Sequence, residues 1–68
     1  MVEVFKTNVQ KQKEAKMILP VLSKSFPALR INFDLDDCDR ILRVEGSVNP
    51  EKVIKLLRSN GYECKVLD

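Results

Sequence analysis

Sixty-eight residues with 44% hydrophobic and 32% charged side chains suit one small two-layer domain, and the branched apolar content is too high for a disordered chain. A net charge of +2, from twelve Lys and Arg against ten Asp and Glu, gives no overall field for nucleic acid or anionic lipid, and no apolar run reaches the roughly 18 residues of a membrane span. With no histidine, imidazole catalysis and histidine metal sites are excluded, and two cysteines, Cys38 and Cys64, are too few to staple a small secreted domain.

The start, Met1-Val2-Glu3-Val4-Phe5-Lys6, lacks the basic region and apolar stretch of a secretory signal. A cytoplasmic protein with free thiols and no membrane insertion is therefore expected. Val2 to Lys6 alternates as a first strand, with Val2 and Val4 on one face and Phe5 on the other. After the polar break Thr7-Asn8 the period changes: Ala15, Ile18, Leu19 and Leu22 collect on one face of a helix spanning about Lys11 to Lys24. Pro20 has no N–H for the Lys16 carbonyl, so this helix either kinks there or consists of two short parts.

Pro27 biases Phe26 away from helical backbone and ends the segment. Leu29, Ile31, Phe33 and Leu35 then alternate with Arg30, Asn32, Asp34 and Asp36 as a half-buried second strand. Asp36-Asp37-Cys38-Asp39 is a turn. Arg40 to Glu45 forms the third strand, with Leu42 and Val44 inward and Ile41, Arg43 and Glu45 outward, so the two strands make a hairpin.

Asn49-Pro50-Glu51 opens a second helix with a cap, a proline where the missing N–H costs nothing, and an acid at the positive end of the dipole. Val53, Leu56 and Leu57 form its buried stripe, and Asn60-Gly61 stops it. Tyr62, Cys64 and Val66 alternate along a fourth strand. The order β-α-β-β-α-β, with right-handed crossovers, specifies an α+β ferredoxin-like sandwich: a four-stranded antiparallel sheet in order 4-1-3-2 with both helices on one face.

The second half of the chain, above all Asn49-Pro50-Glu51-Lys52-Val53-Ile54 and Ser59-Asn60-Gly61-Tyr62-Glu63, resembles the heavy-metal-associated domains of copper chaperones and of the cytosolic tails of metal-pumping ATPases. The resemblance covers residues 1–68 as a single domain of that kind. It implies a metal loop reading Met-x-Cys-x-x-Cys at the start of the first helix, but Val9 holds the methionine position, Lys11 the first cysteine position and Glu14 the second. An ammonium is no ligand and a lone carboxylate does not select soft ions, so the resemblance implies the fold and domain docking without the family's bis-thiolate site.

Cys38 has two readings, a tolerated turn cysteine or a thiol that binds a soft metal shared with a second chain. Asp34, Asp36 and Glu45 fit three positions of a calcium loop, yet Cys38 and Asp39 stand at its fifth and sixth positions and no helix pair flanks it. No acid/base pair or glycine-rich phosphate loop assembles, so neither an enzyme nor a cofactor is expected, and the sheet lacks the basic and aromatic interleaving of a nucleic-acid surface. The expected role is protein binding through the uncovered sheet face at Phe5, Ile41 and Arg43, the partner being a second copy or a similar small domain. The alternative is metal handling through Cys38.

Overall fold

The computed structural model describes residues 1–67. Six elements follow in order: β1 (Val2–Thr7), α1 (Gln12–Ser25), β2 (Arg30–Asp34), β3 (Ile41–Glu45), α2 (Pro50–Ser59) and β4 (Cys64–Val66). The strands form one antiparallel sheet in order β2-β3-β1-β4, which is the 4-1-3-2 arrangement of the ferredoxin-like fold.

Alternation explains the layering. Cross-strand partners share a sheet face, so the registers Phe5↔Leu42, Phe33↔Leu42 and Ile31↔Val44 put these apolar side chains on one face. Against that face lie Ala15, Ile18 and Leu22 of α1 and Val53 and Leu57 of α2, which complete a single core with Val9, Leu35 and Cys64. Burying a large apolar side chain contributes about 1.5–3 kcal/mol, so this face supplies most of the stability of so short a chain.

Both helices end where local chemistry directs. The Glu14 carboxylate accepts the Gln10 and Lys11 amides at 3.2 and 3.1 Å and closes the start of α1. In α2 the Asn49 side chain accepts the Glu51 amide at 3.0 Å, and Pro50 occupies the first turn. Its exit places Gly61 at φ +90°, while the Tyr62 amide returns to the Leu57 carbonyl at 3.0 Å. Pro20 sits inside a continuous α1. It and Lys16 are both exposed, so water can serve the Lys16 carbonyl that Pro20 leaves free.

Candidate functional site

Three segments meet at one end of the sheet: the loop after β1, the β2–β3 turn and the turn before β4. Polar bonds tie them together, and Val9 and Leu35 anchor two of them in the core. The buried Thr7 hydroxyl donates to the Arg40 carbonyl at 2.6 Å and accepts the Val9 amide at 3.2 Å. Arg40 Nη1 donates to the Leu35 and Gln10 carbonyls at 2.9 and 3.3 Å, spanning the hairpin and the first loop. On the other side the Asn8 side chain accepts the Glu63 amide at 2.8 Å.

The first loop does not present its residues as a metal cradle. Val9 is fully buried in the core, Lys11 is exposed beside the start of α1, and Glu14 uses a carboxylate oxygen on the two loop amides. A cation placed here would meet one engaged carboxylate and the positive charges of Lys11 and Lys13. Tyr62 is half-buried between two open depressions, one of about 700 Å³ bounded by Lys6, Arg58 and Lys65, the other of about 560 Å³ bounded by Lys11, Lys13 and Glu14. Arg58 and Lys65 were not singled out in the sequence. The available signal was the placement of Lys65 beside Lys6 once β4 pairs with β1.

Cys38 is exposed in the turn, and its sulfur and carboxylate oxygens of Asp37 and Asp39 lie within 4.8 Å of one another. Both carboxylates have other work: Asp37 Oδ1 accepts the Asp39 amide at 2.8 Å, and Asp39 Oδ1 is 3.6 Å from Lys6 Nζ. Cys64 is a free thiol on the buried face, where desolvation raises its pKa to about 11 and the positive charge of Arg58 opposes the rise.

The uncovered sheet face is built from Val2, Val4 and Lys6 of β1, Arg30, Asn32 and Asp34 of β2, Ile41, Arg43 and Glu45 of β3, and Lys65 of β4, because these residues are one another's cross-strand partners. Phe5 is not among them. The expectation that Phe5 points outward is corrected: its register partner is Leu42, so it turns toward the helices and is 0% exposed. Ile41 does face outward but is only 4% exposed, flanked by Lys6 and Asp34, whose side chains can lie across it. Arg43 is half-buried between Val4 and Asn32, as its placement on this face requires. The apolar surface available is therefore at Val2, 54% exposed, and the half-buried Val4.

No protein-family model, no curated protein and no solved structure matches this chain. Among the described residues, no helix is long and apolar enough to cross a membrane.

Proposed function

We propose that this chain is a non-catalytic, cytoplasmic binding module of the heavy-metal-associated-domain type that engages another protein without a bis-thiolate metal site. The observation that carries the reading is the engagement of Glu14. At the position where the resembling family places its second thiolate, a carboxylate instead closes the first turn of α1 by accepting the Gln10 and Lys11 amides. The segment serves helix initiation, and the sheet face opposite the helices is the surface left for a protein partner, with Val2 and Val4 beside Arg43. Nucleic acid is disfavoured as a partner because that face mixes Arg30, Lys6, Arg43 and Lys65 with Asp34 and Glu45 and carries no exposed aromatic side chain.

Anaerobic titration of the reduced protein with cuprous and zinc ions tests the reading. No tight binding is expected, and one tightly held ion per chain overturns it. The approach of Asp37, Cys38 and Asp39 within 4.8 Å supports a second reading, a soft-metal site shared between chains. Ion-dependent dimerisation that disappears in Cys38→Ser would establish that alternative.

A further inference from the structure

The edge strand β2 is complementary to itself. The geometry points to a symmetric dimer in which β2 of one chain pairs antiparallel with β2 of a second copy about a two-fold axis at Asn32, joining two sheets into one. This inference rests on the reading above that the chain binds a protein, and it names a second copy as the partner and the β2 edge, in place of the open sheet face, as the surface.

Register and hydrogen-bond parity fix which groups are free. The Gly46 amide donates to the Met1 carbonyl at 2.8 Å and the Thr7 amide to the Arg40 carbonyl at 3.2 Å. In an antiparallel ladder, opposed residues alternate between hydrogen-bonded and non-bonded pairs. Between β1 and β3 the bonded pairs are therefore those of Glu3 with Val44 and Phe5 with Leu42. It follows that Ile41, Arg43 and Glu45 turn their N–H and C=O toward β2, where they meet Asp34, Asn32 and Arg30. Ile31 and Phe33 are left with their backbone groups directed at the free edge, and among the described residues no strand lies beyond it.

An incoming antiparallel copy must place its own bonding residues opposite these two. Pairing Ile31 with the second chain's residue 33 does so, and the two-fold axis generates the reciprocal pair. The same register sets position 30 against position 34, so Arg30 of each chain faces the aspartate of the other, with the two Asn32 amides opposed at the centre. Among the described residues neither Arg30 nor Asp34 has an ion-pair partner within its own chain. On the opposite face, Ile31 and Phe33 are only half-buried and would cover each other across the junction. A five-residue edge strand without proline, with the backbone groups of Ile31 and Phe33 free, is open to strand addition, and two-fold pairing makes the contact isologous. The other edge strand, β4, has only three residues. The interface is small, so association is expected to be weak and concentration-dependent.

The test is sedimentation equilibrium up to about 1 mM protein, with wild type, Arg30→Asp, Asp34→Arg and an equimolar mixture of the two variants. Each variant alone opposes like charges and should associate about tenfold more weakly than wild type. The mixture restores both opposite-charge pairs and should regain wild-type affinity as a heterodimer. Circular dichroism checks that the variants fold. As an independent measurement on wild type, exchange of the Ile31 and Phe33 amides should slow with rising concentration while that of Arg30 and Asn32 does not. A chain that stays monomeric throughout, or a mixture no tighter than its components, overturns the inference. A dimer insensitive to the charge changes but weakened by Val2→Lys also overturns it, while leaving the protein-binding reading in place.

Discussion

The Thr7 hydroxyl and the Arg40 carbonyl are joined at 2.6 Å across 33 residues of sequence, which locks the end of β1 to the entry of β3. The same hydroxyl accepts the Val9 amide, so one buried side chain serves a donor and an acceptor of two different segments. Thr7→Val keeps the shape and removes both bonds. Leaving buried polar groups short of a partner costs about 1–3 kcal/mol. Chemical denaturation should show a loss in that range with an unchanged m-value, whereas a loss below the resolution of the experiment would mean that water replaces the hydroxyl.

Arg40 has φ +51°, in the left-handed region that costs a side chain about 1–2 kcal/mol. Its guanidinium offsets this through the Leu35 and Gln10 carbonyls. Arg40→Ala loses those bonds and keeps the strain, while Arg40→Gly loses the bonds and relieves it. The glycine variant should therefore melt above the alanine variant, the gap corresponding to about 1 kcal/mol. Equal melting temperatures would show that the turn relaxes out of this conformation when the guanidinium is removed.

Cys64 gives the stability a defined alkaline dependence. Its pKa is raised from 9.0 to about 11 by burial, so the folded state holds the proton more tightly than the unfolded state. The contribution is complete below pH 9 and is lost as pH rises toward 11, because the unfolded chain then releases a proton that the folded chain keeps. The loss is on the order of 2 kcal/mol by pH 11, and the slope over this window should be shallower in Cys64→Ala than in wild type. Below the window, a thiol reagent should label exposed Cys38 in the native protein and reach Cys64 only on unfolding.

Thiols placed at Lys11 and Glu14 would reconstruct the ligand positions of the resembling family but remove the carboxylate that closes α1. Lys11→Cys/Glu14→Cys should bind cuprous ion measurably, and its metal-free form should be less stable than wild type by about 0.5–2 kcal/mol, the usual cost of a lost cap. Glu14→Gln, which retains an acceptor oxygen, should lose less. A folded double variant that binds no cuprous ion would show that the loop backbone, as well as its side chains, is unsuited to the metal.

The sequence by itself determined the element order and therefore the sheet order. Hydrophobic period distinguishes strands from helices, and Asn49-Pro50 with Asn60-Gly61 bounds α2 through bonds made within a few residues. The alternation of Leu29 to Leu35 likewise announced β2, since its two faces differ sharply in polarity. Tertiary structure alone decided the phase of β1. Val2, Val4 and Phe5 place apolar residues on both faces of that strand, so its period defines two faces without saying which meets the helices; the pairing of Phe5 with Leu42 settles it. The continuity of α1 through Pro20 was likewise a tertiary outcome, because it depends on which side of the helix faces water. The joining of Thr7 to Arg40, and the free edge at Ile31 and Phe33, depend on segments distant in sequence and on their register, and no local pattern of residues carries that information.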